Sequence, residues 1–286
     1  MNESISVAVV QCAASERADE NLGRAGAFVA EAAARGANVV LLPELFANRY
    51  FPRAPGPHVF ALAEPAESCR AVHTMRLLAR THEVVIPVSF YERASQGGRD
   101  RYYNSVAVVD ADGSVLGVYR KSHIPDGTGY EEKQCFSPGD TGFRVWPTRV
   151  GTLGVGICWD QWFPECARAM TLLGADVLLY PTTIGSEPVR TEIDTRDAWR
   201  RAMIGHAASN AVCVAAANRV GDEDGQRYYG SSFVCNARGD ILAELGRDEE
   251  GVALAEIDLA TVRAYREWLG VFADRRPDLY GALTKT

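Results

Sequence analysis

Three side chains of different chemical kinds stand at comparable places in this sequence: each follows an apolar run. Glu44 follows Val39-Val40-Leu41-Leu42 across a single proline, Lys121 follows Val115 to Arg120, and Cys158 follows Leu153 to Ile157. A thiol is a strong nucleophile once deprotonated. A carboxylate in a poorly solvated place has a raised pKa and suits the role of base. An ammonium stabilises the oxyanion formed when a carbonyl is attacked. Together the three describe attack on an amide-like carbon, a thioester-like intermediate and hydrolysis. Each also has a plainer reading: a buried core cysteine, a salt-bridged strand-end acid and a solvated lysine. Spacing along the chain does not show that they meet.

The cysteine has the most distinctive setting. Leu153 to Ile157 is an apolar, glycine-bearing run of the kind buried on both faces of a sheet, and Pro164-Glu165 opens a helix predicted over 165–173. A thiol on such a strand-to-helix turn is expected to face the first amides of the helix, which would lower its pKa and hold a developing oxyanion.

The elements that must position these residues follow from periodicity. Strands are predicted at 5–11, 38–42, 84–91, 102–110, 114–120, 143–146, 153–157, 177–180, 212–217, 230–236, 241–244 and 252–257. Helices are predicted at 21–36, 66–82, 165–173, 190–210 and 259–268. Asp112-Gly113 marks a hairpin, Ser95 to Arg101 a polar turn, and 126–140 a loop rich in glycine and charge. Pro52, Pro55, Pro57 and Pro65 make the stretch around 48–65 an irregular loop, a natural wall for a pocket. Strands alternate with helices twice, with hairpins between. This pattern predicts an α/β protein: two mixed sheets, each covered by helices on one face, stacked as a four-layer αββα sandwich. No repeat of fixed period and no linker interrupts the chain, so residues 1–286 are expected to form a single domain.

Composition narrows the function classes. The chain has 286 residues, 47% hydrophobic and 23% charged, with a net charge of -7. The acidic balance excludes a nucleic-acid footprint and is compatible with a cationic small substrate. No apolar run is long enough to span a membrane, and the N-terminus lacks the basic and apolar blocks of a signal peptide. Seven cysteines without a CxxC pair read as reduced thiols of a cytosolic protein. Cys12, Cys69, Cys135, Cys166, Cys213 and Cys235 lack the context of Cys158. His58, His73, His82 and His206 show no metal-ligand spacing, and His123 reads as a structural histidine.

Three motifs, in order, resemble the nitrilase, or carbon-nitrogen hydrolase, superfamily across nearly the whole chain: Pro43-Glu44-Leu45-Phe46, Tyr119-Arg120-Lys121-Ser122-His123-Ile124-Pro125 and Gly156-Ile157-Cys158-Trp159-Asp160. The resemblance implies the αββα fold, Glu44 as base, Lys121 as oxyanion stabiliser and Cys158 as nucleophile. It requires neither a metal nor an organic cofactor. Gly129-Tyr130-Glu131-Glu132-Lys133 resembles the segment that carries a second catalytic glutamate, implied to orient Lys121 and the substrate. Glu132 is the better match, and Glu131 stays open beside it. The resemblance also implies at least a homodimer, with a C-terminal tail of about residues 268–286 crossing to a partner subunit.

A closer resemblance, to the N-carbamoylputrescine amidohydrolase family, is carried by Cys158 to Glu165, Tyr180 to Pro188, Asn218-Arg219-Val220-Gly221 and Arg275 to Tyr280. It implies a cationic ureido substrate, and a physical test agrees. Hydrolases of carbamoyl amino acids need an arginine fork for the substrate carboxylate. Here Asp160, Gln161 and Trp162 follow the cysteine motif, and the next arginine, Arg168, lies inside a helix. A tail ending in an ammonium wants a carboxylate and aromatic walls instead. Glu187 is the candidate partner for that ammonium, and Trp159 and Tyr130 are candidate walls; a surface acid and packing aromatics are the plainer readings. Residues 47–60 depart from the family except at Tyr50-Phe51, and Arg49 there leaves room for an anionic substrate. The alternatives are another amidohydrolase of the superfamily (a carbamoyl-amino-acid hydrolase, an ω-amidase or an aliphatic amidase) or a catalytically silent binding protein on this fold.

Overall fold

The molecule, as a computed structural model, is described at residues 3–187, 189, 190 and 192–285. Strand β1 (Ser4–Gln11) is apolar at successive positions because it is covered on both faces: Val7 and Val9 enter one core, Ala8 and Val10 another. Helix α1 (Ala18–Ala34), strand β2 (Val39–Leu41) and helix α2 (Arg70–His82) follow. Leu22, Ala25, Val29, Val72 and Met75 of the two helices pack against Ala8, Val10 and Val40 to form an outer core. Strands β3 (Ile86–Gln96), β4 (Arg99–Val109) and β5 (Val115–Arg120) complete the first half.

The second half repeats the plan. It comprises β6 (Val145–Pro147), β7 (Thr152–Val155), α3 (Pro164–Leu172), β8 (Val177–Pro181), α4 (Arg196–Asn210), β9 (Cys213–Ala217), a hairpin of β10 (Val220–Glu223) and β11 (Gln226–Tyr229), then β12 (Phe233–Cys235) and β13 (Ile241–Glu244). Strand β14 (Gly251–Asp258) returns to pair antiparallel with β1, and α5 (Leu259–Leu269) follows it.

Strands β14-β1-β2 continue into β3-β4-β5 through main-chain bonds of Val85 with Asn38 and Val40, which makes one mixed sheet. The other sheet has the order β13-β12-β9-β8-β7-β6. From β14 the pairings run antiparallel, parallel, parallel, antiparallel, antiparallel. From β6 the second sheet shows the same series. The fold therefore contains a topological repeat that has no counterpart as a sequence period. The β10–β11 hairpin is the insertion that breaks it. Val7, Val9, Leu41, Val106, Val155, Leu179 and Ala215 face one another between the sheets, while α3 and α4 cover the outer face of the second sheet. This is the predicted four-layer arrangement.

Several boundaries differ from expectation. The polar turn at 95–101 shrinks to Gly97-Gly98, because β3 and β4 remain paired out to Gln96 and Arg99. The helix predicted from 190 begins at Arg196. The β10–β11 hairpin was not anticipated, although Asp224-Gly225, both with positive φ, is its turn signal. The C-terminal tail is largely exposed, with Trp268, Leu279 and Leu283 open to solvent. Among the described residues no helix is long and apolar enough to cross a membrane.

Candidate active site

The chain segments leaving β2, β5, β7 and β8 meet at one end of the sandwich, where open α/β sheets place their ligands. The two halves are tied together there just past their strands: the Glu44 amide donates to the Thr182 carbonyl at 3.3 Å, and the Thr183 hydroxyl donates to the Glu44 carbonyl at 2.9 Å. The Lys121 amide donates to the Asn104 carbonyl of β4 at 2.8 Å, which anchors the residue just past β5. Lys121 Nζ then lies 2.9 Å from Glu44 Oε1 and 2.8 and 2.7 Å from the two carboxylate oxygens of Glu132. All three side chains are withdrawn from solvent. Asn104 donates to Glu44 Oε1 at 2.6 Å, and the Tyr50 hydroxyl donates to Glu132 Oε1. Glu131 does not join this group; its carboxylate accepts from the nearby Gly129 amide.

Burial works against the Lys121 ammonium, but Glu132 and Glu44 outweigh it and hold the lysine protonated well above its ordinary range. Burial first, with Glu44 adding to it and Lys121 opposing, pushes the Glu132 carboxyl up to about 7.

Cys158 opens a 3₁₀ turn, Cys158–Trp162, rather than facing the amides of α3, which begins only at Pro164. Its φ of 42° is in the left-handed region, an uncommon and strained place for a side chain with a Cβ. Asp160 holds the turn. It accepts from the Ile157 amide at 2.9 Å, the Tyr119 hydroxyl at 2.8 Å, and the amide and Nδ1 of His123 at 3.0 and 2.7 Å. His123, stacked on Phe163, is thus part of a brace between the lysine and cysteine segments. The expected lowering of the thiol pKa is not what the site produces. Burial and the Glu44 charge push the Cys158 thiol well up, and Lys121 offsets only part of this. A thiol raised in this way is neutral at rest and would need a base before it could act as a nucleophile.

Cys158 and Glu132 line a cavity of about 210 Å³ together with Asp126, Tyr130, Trp159, Ile184, Glu187 and Val189. Glu44 and Lys121 are buried and do not line it, but both act electrostatically on the Cys158 thiol. The three residues proposed for the substrate tail thus share the cavity. The Tyr130 hydroxyl accepts from the Gly185 amide at 3.0 Å, and burial raises the Glu187 carboxyl. Among the described residues, no cationic side chain pairs with Glu187, and no Lys, Arg or His lines this cavity. No group of His, Cys, Asp and Glu among them is arranged to hold a metal ion.

Two expectations about residues 47–60 need correction. The loop does not wall this cavity; it supports the site from beneath, through Tyr50 against Glu132 and Tyr130. Arg49 offers nothing to an anionic substrate, because its guanidinium is bound to Asp224 at 3.0 Å and Glu16 at 3.3 Å and lies 3.8 Å from Glu223. Sequence reasoning missed Asn104, Tyr50 and Asp160 as members of the site. Asn104-Ser105 did carry a signal: two polar residues inside an otherwise apolar strand, which on burial must find partners.

Residues 6–267 match the sequence profile of the family described as carbon-nitrogen hydrolase. The chain is 47% identical to an N-carbamoylputrescine amidase of Oryza sativa subsp. japonica, over 98% of this chain and 94% of the rice protein. It is 46% identical to a citrullinase of Francisella tularensis over 99% of both chains. A carbon-nitrogen hydrolase from Helicobacter pylori G27, 38% identical, superposes with a TM-score of 0.92 over 99% of each chain.

Proposed function

The chain belongs to the carbon-nitrogen hydrolase family, and on that premise we propose that it hydrolyses the ureido group of N-carbamoylputrescine to ammonia, carbon dioxide and putrescine. The observation that carries the choice of substrate is the lining of the cavity beside Cys158. It presents the carboxyl groups of Asp126, Glu132 and Glu187 with aromatic and aliphatic walls, and no cationic side chain among the described residues. A ureido group at the sulfur and an ammonium at the far end fit that lining, and a terminal carboxylate does not. The likeness to the rice amidase supports the same reading. The likeness to a citrullinase is compatible with the ureido chemistry, but the α-carboxylate of citrulline would find no cation here.

In the proposed mechanism Glu44 takes the Cys158 proton as sulfur attacks the ureido carbon. Lys121 faces the oxyanion, held in place by Glu132. The tetrahedral adduct collapses, the C–NH2 bond breaks, and Glu44 returns the proton to the departing ammonia. This leaves an S-carbamoyl enzyme. Water, activated by Glu44, adds to that carbonyl, the C–S bond breaks and the thiol is restored. The released carbamate decomposes to carbon dioxide and the amine. Tyr130 and Trp159 flank the tail, and Glu187 binds its ammonium.

Further parts of this reading concern the setting of the enzyme. A polyamine-forming role follows from the product. Seven free, buried cysteines suit a reducing cytoplasm. One continuous inter-sheet core supports a single domain, and the exposed Leu172, Leu173, Trp268, Leu279 and Leu283 support a homodimer or larger assembly in which the tail packs on a partner subunit.

The test is ammonia release from a panel: N-carbamoylputrescine, citrulline, N-carbamoyl-β-alanine, ω-amides and simple aliphatic amides and nitriles, with Cys158→Ala as control. N-carbamoylputrescine is expected to give the highest kcat/KM. A preference for any carboxylate-bearing compound overturns the substrate. Turnover retained by Cys158→Ala overturns the mechanism.

A further inference from the structure

Arg219 and Glu223 form an ion pair at 2.6 Å that is 1% and 2% exposed, between the end of β9 and the inserted hairpin. Removing two charges from water is costly, and such a pair adds little stability by itself, so its other bonds show what it does. They go to one segment. Arg219 Nη2 donates to the carbonyls of Asn48 at 2.9 Å, Leu45 at 3.1 Å and Glu44 at 3.3 Å, and the second oxygen of Glu223 accepts from the Tyr50 amide at 2.7 Å. The Tyr228 ring packs beneath the guanidinium.

The segment from 44 to 50 needs this help. It lies past the end of β2, Leu45 sits at a φ of 49°, and its inward carbonyls have no ladder to join. Without Arg219 the Asn48 carbonyl would lose its donor, and the Glu44 and Leu45 carbonyls would keep only their bonds from the Thr183 hydroxyl and the Asn48 amide. The segment carries Glu44 directly and ends at Tyr50, whose hydroxyl holds Glu132. One clamp therefore sets both carboxylates that face Lys121. It is supplied by Arg219, just before the hairpin that interrupts the topological repeat, and by Glu223, the last residue of that hairpin's first strand.

We propose that Arg219 and Glu223 are positioning residues of the hydrolytic site, fixing Glu44 through its main chain and Glu132 through Tyr50. The planar guanidinium is required, because an ammonium cannot bond Glu223 and three carbonyls together. This proposal rests on the roles given above to Glu44 and Glu132.

The experiment compares wild type with Arg219→Lys, Glu223→Gln and Tyr50→Phe, with N-carbamoylputrescine as substrate. Rates are expressed per site titrated with iodoacetamide at Cys158, so loss of folded protein does not count as loss of catalysis. The expected result is a kcat lowered about 10- to 100-fold in each, since small misplacements of reacting groups cost about that much, with KM within about threefold. In Tyr50→Phe the ascending limb of the pH–rate profile is expected to move to higher pH, because a hydrogen bond that favours ionised Glu132 has gone. Arg219→Lys is expected to rescue nothing relative to Glu223→Gln. If Arg219→Lys does not fold, the other two variants decide. Wild-type kcat per titrated site in Glu223→Gln, or an unmoved limb in Tyr50→Phe, overturns the clamp while leaving the thiol mechanism intact. Failure of that mechanism would show instead as turnover by Cys158→Ala.

Discussion

Lys121 Nζ meets both carboxylate oxygens of Glu132, at 2.8 and 2.7 Å, in a place that no solvent reaches. Glu44 shares the same ammonium at 2.9 Å. Two carboxylates and one ammonium cannot all be ionised without leaving a net negative charge in a dry interior, so one carboxyl holds its proton more tightly than usual.

The first consequence is a pH dependence of catalysis. Burial, with Glu44 adding to it, raises the Glu132 carboxyl to about 7. Below that pH Glu132 is protonated and its hold on Lys121 weakens. The kcat/KM profile is expected to rise with a midpoint near 7, and Glu132→Gln is expected to remove that limb and lower kcat about 100-fold. An identical limb in Glu132→Gln would assign the titration to another group.

Stability should respond in the opposite sense. The carboxyl sits at about 7 in the folded protein against an ordinary 4.5, a raised value. Its stabilising contribution is therefore fully present below about 4.5 and lost as pH rises through about 7. Glu132→Gln, which keeps a neutral side chain at all pH values, is expected to gain in Tm relative to wild type between pH 5 and pH 8 (approximate ends of the window) while losing activity. Thermal melts at the two ends of that window check the sign. A Tm difference that shrinks with rising pH would refute the shared-charge account.

Tail recognition can be separated from chemistry at Glu187. Glu187→Gln keeps the shape and removes the charge. A charge-assisted hydrogen bond contributes about 1.5–3 kcal/mol, so kcat/KM for an ammonium-tailed urea is expected to fall about 10- to 100-fold, mostly in KM. A propyl- or butylurea, without the ammonium, should be turned over equally by both proteins. Equal losses on charged and uncharged tails would place Glu187 outside tail binding.

The strained turn at Cys158 depends on Gly156. A Cβ there would come within 2.8 Å of the Tyr180 ring, 3.1 Å of Cys166 Sγ and 3.3 Å of the Asp160 Cβ. Gly156→Ala is expected to destabilise by about 1–3 kcal/mol, as overpacking does. It should also slow labelling of Cys158, because the displaced Asp160 holds the turn. Urea melts and alkylation rates measure the two effects, and a variant as stable and as reactive as wild type would show that the turn adapts freely.

The layers were legible in the chain because periodicity reports burial. Consecutive apolar residues, Val7 to Val10 in β1 and Val177 to Leu179 in β8, require cover on both faces, and the stripe of α1 requires one partner. Boundaries were less legible. The β3–β4 pair runs through Ser95, Asp100 and Arg101, residues that read as a turn, because ladder hydrogen bonds carry an antiparallel ribbon past the edge of the core. The topological repeat was invisible, since pairing direction leaves no mark on residue spacing.

By itself the sequence determined which candidate groups stand at strand ends, because apolar runs and the residues that close them are local properties. Only the tertiary structure decided that Glu132 rather than Glu131 reaches Lys121, that the Cys158 thiol is raised rather than lowered, and that Arg49 is spent on other partners. Those outcomes depend on distances between segments remote in the chain and on how much water lies between them. Charge energies change several-fold with that distance and that water, while the order of residues stays the same.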